Sequence, residues 1–170
     1  MSGAARRGFL GLGSNEGERL DSLRAARELL HRSEAPGGLH VLASSSAYET
    51  EPQAGAVGQR EFVNACLEIE TALEPEPLLD LCKGVERTLG REAGAERHAP
   101  RPIDVDLLLL GELEHHSERL ALPHADITRR RFVLVPLLEL DPVLVLPDGT
   151  SLSAALAALE GQRVERIGAL

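Results

Sequence analysis

The chain has 170 residues, 43% of them apolar and 26% charged, with a formal net charge of -9. That length suits one domain with a core able to stand alone, and the balance is that of a soluble globular protein. No run of eighteen apolar residues occurs, which argues against a membrane span, and the acidic balance argues against a general nucleic-acid binder.

An apolar run over 8–12 reads as a first strand, ended by Gly13-Ser14-Asn15. Asn15 is placed to cap a following helix, with Glu16 and Glu18 favourable in its first turn. Leu20, Leu23, Ala26 and Leu30 keep helical spacing, and Pro36-Gly37-Gly38 breaks the chain. Residues 39–48 read as a strand and 50–59 as a loop. From Phe62 the sequence alternates, with Val63, Ala65, Leu67 and Ile69 on one side and Asn64, Cys66, Glu68 and Glu70 on the other. Pro75 and Pro77 sit where a helix begins; Leu78, Leu81, Cys82, Val85 and Leu89 give its buried stripe, and Gly90 ends it.

The strongest strand spans 103–110. An outer hairpin is expected over 113–122 and a helix over 128–140 despite Pro136. Leu152, Ala155, Leu156 and Leu159 suggest a short C-terminal packing helix. The core order is strand, helix, strand, strand, helix, strand. That order predicts an α+β fold: a ferredoxin-like antiparallel sheet with helices on one face, plus the extra hairpin and C-terminal helix. No repeat or linker divides the chain, so 1–170 is read as a single domain; a monomer is expected.

Cys66 and Cys82 lie in apolar patterns and read as small core residues of a reducing compartment. Arg6-Arg7-Gly8-Phe9-Leu10 has the look of a twin-arginine export signal. Asn15, Glu16, Glu18, Arg19 and Asp21 follow where that signal needs a long apolar stretch, so a cytoplasmic protein is expected.

The sharpest chemistry lies in Ile103-Asp104-Val105-Asp106-Leu107. On a strand, Asp104 and Asp106 share one face with Cα atoms roughly 6.6 Å apart. Carboxylates that near repel unless a cation or an arginine neutralises them. Magnesium takes oxygen ligands, keeps several waters, and often uses one or two carboxylates plus substrate phosphates. Such a pair can hold two ions about 3.5–4 Å apart along a nucleotide's phosphates. Spacing alone equally fits an amphipathic strand with a wet face. Aspartate is depleted in strands, however, and Arg97-His98-Ala99-Pro100-Arg101 sets two guanidinium groups just before the pair, as a leaving phosphate requires.

The run Arg97-His98-Ala99-Pro100-Arg101-Pro102-Ile103-Asp104-Val105-Asp106-Leu107-Leu108 resembles the signature of the 6-hydroxymethyl-7,8-dihydropterin pyrophosphokinases of folate biosynthesis. Supporting segments fall in the family's order: Gly11-Leu12-Gly13-Ser14-Asn15, Tyr48-Glu49-Thr50-Glu51-Pro52, Phe62-Val63-Asn64, Gly90-Arg91, Leu122-Pro123-His124, Arg130-Arg131-Phe132 and Pro147-Asp148-Gly149. The likeness implies a ferredoxin-like fold and transfer of pyrophosphate from ATP to the pterin alcohol, with AMP leaving.

The resemblance further implies that Asp104 and Asp106 bind two magnesium ions between ATP and the pterin hydroxyl. Arg91 and Arg101 would act on the phosphates as catalytic residues. Lys83, Glu86, His98, Leu107, Arg119, Leu120, His124 and Arg130 would line the nucleotide site. Gly13, Thr50, Pro52, Gln53, Phe62, Asn64, His98 and Phe132 would frame the pterin, with Phe62 and Phe132 sandwiching its ring. The partners implied are these two small molecules, without nucleic acid or membrane.

There are departures from the family pattern. His98 stands where members often carry Trp, Glu92-Ala93-Gly94 replaces more basic loop residues, and Ala121 and Ala125 flank His124. The polar stretch 91–99 is expected to form a mobile lid over ATP. Two rival readings remain. A metal-dependent nucleotidyltransferase also pairs Gly-Ser with Asp-x-Asp, though usually about ten residues apart. A ferredoxin-like ligand-binding module would explain the topology without chemistry.

Overall fold

The computed structural model describes residues 3–52, 58–90 and 102–170. The first apolar run forms β1 (Arg6–Ser14), the centre of the main sheet. It pairs antiparallel with β4 (Phe62–Thr71) on one side and with β5 (Asp104–Leu110) on the other. Beyond β4 lie β2 (Leu39–Ser44) and β3 (Ser46–Thr50), which run along it in tandem, and β3 in turn pairs with β8 (Val164–Ala169). The path is β5-β1-β4-β3-β8 with β2 on β4. The first helix, α1 (Arg19–His31), connects β1 to β2, and α2 (Pro75–Thr88) connects β4 to β5. This is the expected split order of strands and helices.

Alternation along the strands sorts the core into two layers. Leu10, Leu12, Val63, Ala65, Leu67, Ile69, Ile103, Val105 and Leu107 face Leu23, Ala26 and Leu30 of α1 and Leu78, Cys82 and Val85 of α2. The other face carries Phe9, Cys66, Leu108 and Leu109, covered by α3 (Arg131–Leu140) and α4 (Leu152–Ala157). Each fully buried leucine here contributes about 1.5–3 kcal/mol relative to exposure. Helices therefore lie on both faces, not on one. The second layer arises because Val133, Leu134 and Leu137 form an apolar stripe that must find a partner surface.

Local chemistry explains the element ends. Two prolines open α2, where no backbone donor is missed, and Gly90 follows its end at φ +96. Ser151 caps α4 by accepting from the Ala154 N–H at 3.3 Å. The hairpin of β6 (His115–His116) and β7 (Ala121–Leu122) is as expected.

Four details differ from the sequence expectation. Residues 39–48 are broken at Ser45, whose Oγ accepts the Cys66 N–H at 2.8 Å while its own N–H bonds the Cys66 carbonyl at 2.9 Å, so pairing continues past the break. Asn15 does not cap α1; its amide donates to Gln59 Oε1 at 2.8 Å and Glu18 takes the cap position. The third helix starts at Arg131, not at 128, because the preceding loop is held to β5 through the His124 N–H and the Leu108 carbonyl at 2.9 Å. The tail continues beyond α4 into β8, which was not foreseen.

Candidate active site

Strand alternation puts Asp104 and Asp106 on the α3 side of β5, opposite the buried Ile103, Val105 and Leu107. Both residues keep part of their surface exposed, although the Asp106 carboxyl itself is largely withdrawn from solvent. Register then places their neighbours. Asp104 stands opposite Gly13 on β1, Gly13 opposite Asn64 on β4, and Asn64 opposite Tyr48 on β3. One row thus crosses four strands on a single face.

The acidic end of the row is charge-strained. Burial, and next the charge of Asp104, pushes the Asp106 carboxyl up to about 7, while Lys83 and Arg130 oppose that rise. A third carboxylate lies behind the strand. Glu86 is 3% exposed, and its Oε1 accepts from the Val105 N–H at 2.8 Å and from Lys83 Nζ at 3.0 Å. Burial raises the Glu86 pKa against those two partners. Helix α2 thereby satisfies a backbone donor of β5, the outermost strand of the path, and delivers Lys83 and Glu86 to the acidic end of the row.

His124 and Arg130 come to the same end from the loop before α3. His124 Nδ1 accepts from the Asp126 N–H at 3.1 Å, so the ring proton sits on Nε2. Burial, and then Arg130, lowers the His124 pKa and keeps the ring neutral; Asp104 and Asp126 act the other way. Arg130 bonds Asp126 at 2.8 Å and lies 5.7 Å from the centre of the Phe132 ring.

The neutral end of the row is built around a tight contact. A Cβ on Gly13 would meet Asn64 Oδ1 at 2.8 Å, so glycine is what lets the Asn64 amide lie over β1. Asn64 Nδ2 donates to the buried Thr50 Oγ1 at 2.7 Å, which orients the amide. Phe62 pairs with Thr50 across β3 and β4, and Phe132 opens α3 on this side of the sheet; both rings are half-buried. Pro52 lies just past the end of β3.

The structure therefore brings together Gly13, Thr50, Phe62, Asn64, Asp104, Asp106, His124, Arg130 and Phe132. Other predicted residues sit apart from the row. The Leu107 side chain is in the α1–α2 core layer, and so is that of Leu120. Arg119 is exposed and tied to α2 through Glu76 at 3.1 Å and Asp80 at 2.5 Å. Gln53, Arg91, Arg97, His98, Arg101 and the 91–99 lid lie outside the described residues. Two polar residues of this region were not singled out from sequence. Asp126 stands four residues before Arg130, a spacing that hints at an ion pair. Gln162 has no sequence signal.

Among the described residues no group of three or more His, Cys, Asp or Glu side chains is arranged to hold a metal. A pair of strained, partly exposed aspartates fits magnesium nonetheless, because that ion fills its shell from water and substrate phosphates.

The sequence model of the 7,8-dihydro-6-hydroxymethylpterin-pyrophosphokinase (HPPK) family matches residues 9–142. A 2-amino-4-hydroxy-6-hydroxymethyldihydropteridine pyrophosphokinase of Methylorubrum extorquens is 42% identical over 161 residues, 95% of this chain and 98% of that protein. The like-named protein of Bacillus subtilis is 41% identical over 132 residues, 78% of this chain and 76% of that one. Among solved structures, wild-type Plasmodium falciparum HPPK-DHPS with pteroate superposes at a TM-score of 0.71 and 12% identity, covering 92% of this chain and 45% of that chain. The last likeness concerns fold alone, and the chain spans less than half of that longer protein.

Proposed function

The chain belongs to the 7,8-dihydro-6-hydroxymethylpterin-pyrophosphokinase family, and from that premise we propose how its own residues carry out the reaction. Its activity is ATP-dependent pyrophosphoryl transfer to 6-hydroxymethyl-7,8-dihydropterin, a step of folate synthesis. The pterin hydroxyl oxygen bonds to the β-phosphorus of ATP and gives up its proton to solvent, while the bond from that phosphorus to the α–β bridging oxygen breaks and AMP leaves with that oxygen.

The row from Asp104 through Gly13 to Asn64 carries this reading. It sets an acidic edge and an amide two strand spacings apart, on the same face, with β1 between them. Asp104 and Asp106 would hold magnesium, two ions in our reading, and magnesium would screen the phosphates and lower the pKa of the attacking hydroxyl. His124, through its Nε2 proton, and Arg130, through its free guanidinium edges, would hold phosphate oxygens. Lys83, held by Glu86, adds positive charge behind β5. Arg91 and Arg101 would join them on the phosphates, and His98 would close on the substrates, from the segment outside the described residues.

At the other end Asn64 would present its amide to the pterin edge, with Thr50 fixing which way it points. Phe62 and Phe132 would take the ring faces. Gly13 keeps the floor between the two substrates free of side chain. Leu107 and Leu120 would contribute backbone to the nucleotide pocket, since their side chains are committed to the core. Arg119 would have to leave Glu76 and Asp80 to touch nucleotide. Positioning and charge neutralisation supply most of the rate in such transfers, so no strong general base is required.

We read residues 1–170 as one domain working as a monomer in the cytoplasm on small molecules. No helix among the described residues is long and apolar enough to cross a membrane. The function is tested by measuring AMP released from ATP with and without the pterin alcohol and with and without magnesium; release should require both.

A further inference from the structure

We propose that Gln162 is a positioning residue for the pterin substrate, its side-chain amide setting the distance between the Thr50 wall and the Phe132 wall. This rests on the reading of Thr50 and Phe132 as pterin residues. Gln162 itself lies beyond the 9–142 stretch that matches the family, in the turn leading into β8.

The half-buried amide makes two bonds in opposite senses. Its Nε2 donates to the Glu51 carbonyl at 3.1 Å, and its Oε1 accepts from the Phe132 N–H at 3.3 Å. Only this orientation of the amide satisfies both partners. The Gln162 carbonyl also accepts from Arg131 Nε at 3.0 Å, and the neighbouring Arg163 carbonyl accepts from the Glu51 N–H at 3.4 Å. Glu51 directly follows Thr50, whose hydroxyl orients Asn64. Phe132 is the second residue of α3, and its N–H is one of those a helix start leaves without an internal partner.

Stability alone does not call for glutamine here. A carboxylate would serve the start of α3 better, since negative charge is favoured at that end of a helix. An acceptor alone would cap α3, and a donor alone would hold Glu51. A neutral amide does both at once and so ties the two walls to each other. The device belongs to the C-terminal turn, which gives that turn a task at the substrate site as well as a place in the sheet.

The test compares Gln162→Glu and Gln162→Ala in the full chain. Glutamate keeps the acceptor for α3 and loses the donor for Glu51. Both variants should raise KM for the pterin about fivefold, the factor one ordinary hydrogen bond is worth, while kcat and KM for ATP stay within about twofold. Gln162→Glu gains charge at the start of α3 and loses the bond to Glu51, so it should unfold within a few degrees of the unmodified chain. An unchanged pterin KM in Gln162→Glu would overturn the proposal and leave Gln162 a helix cap. Calorimetric binding of the pterin in the presence of a non-hydrolysable ATP analogue separates the layers. An unmodified chain that fails to bind pterin overturns the reading of the site, whereas normal binding in both variants overturns the role of Gln162 alone.

Discussion

Asp104 and Asn64 face the same glycine from opposite sides, each being a register partner of Gly13. Two strand spacings therefore separate their Cα atoms by about 10 Å, with no side chain rising between them. A phosphate-bearing ligand at one end and a flat heterocycle at the other would meet over β1.

That floor is fragile by design. In Gly13→Ala the new methyl would sit 2.8 Å from Asn64 Oδ1, so Asn64 has to rotate and its bond to Thr50 Oγ1 is lost. The expected result is a stability cost of about 1–3 kcal/mol and a rise of about tenfold in KM for the pterin, with ATP binding nearly unchanged. Chemical denaturation and steady-state kinetics on each substrate check it.

Glu86 joins the acidic end of the row to the fold. Glu86→Ala strands the Val105 N–H that its carboxylate now accepts and frees Lys83. We expect a loss of about 1–3 kcal/mol in unfolding free energy, together with weaker ATP binding. Glu86→Leu, which fills the space and still lacks an acceptor, should show the same loss in denaturation, because the missing partner matters and not the missing volume.

The pairing of Tyr48 with Glu139 holds α3 to β3 and predicts how stability changes with pH. Tyr48 donates to Glu139 Oε2 at 2.5 Å, and Ser46 donates to Oε1 from both N–H and hydroxyl. Burial opposes the charge on Glu139, but the hydrogen bonds from Tyr48 and Ser46 outweigh it and hold its pKa below the ordinary value of 4.5. Its stabilisation is therefore present above that value and is lost as pH falls through the lower folded one. Burial, then the bond to Glu139, moves Tyr48 from 10.0 to about 12. Its contribution is full below 10 and is lost as pH rises through about 12. Tyr48→Phe should cost about 1–2 kcal/mol at neutral pH and remove the alkaline loss assigned to Tyr48, as read from unfolding free energies across pH.

Much of this arrangement was legible in the residue order, and the reasons differ by element. The alternation from Phe62 to Thr71 gives the side of each residue directly, since Val63 and Ala65 are buried toward α1 and α2 while Cys66 is buried toward α3. Asp104 and Asp106 stood out because acids are rare in a strand whose neighbours are Ile103, Val105 and Leu107. Strand β8 did not, because Glu165, Arg166 and Ile167 are all exposed on a strand paired along one side in the path, where no burial pattern is imposed. The second helical layer was missed because an apolar stripe tells that a surface is needed, not which side of the sheet supplies it. Contacts such as Tyr48 with Glu139 and Gln162 with Glu51 join residues 91 and 111 positions apart, and nothing local in a sequence encodes them.

In the proposed reaction Asp104 and Asp106 gather the cation that lets ATP surrender its pyrophosphoryl group to the pterin. The most direct measurement is product analysis during a magnesium titration, comparing the unmodified chain with Asp104→Ala and Asp106→Ala. AMP and the pterin diphosphate should form with the unmodified chain once magnesium is added. Either variant should lose roughly a thousandfold or more in kcat, with pterin binding partly kept. Full turnover in Asp104→Ala, or release of inorganic pyrophosphate in place of AMP, would contradict the proposed reaction.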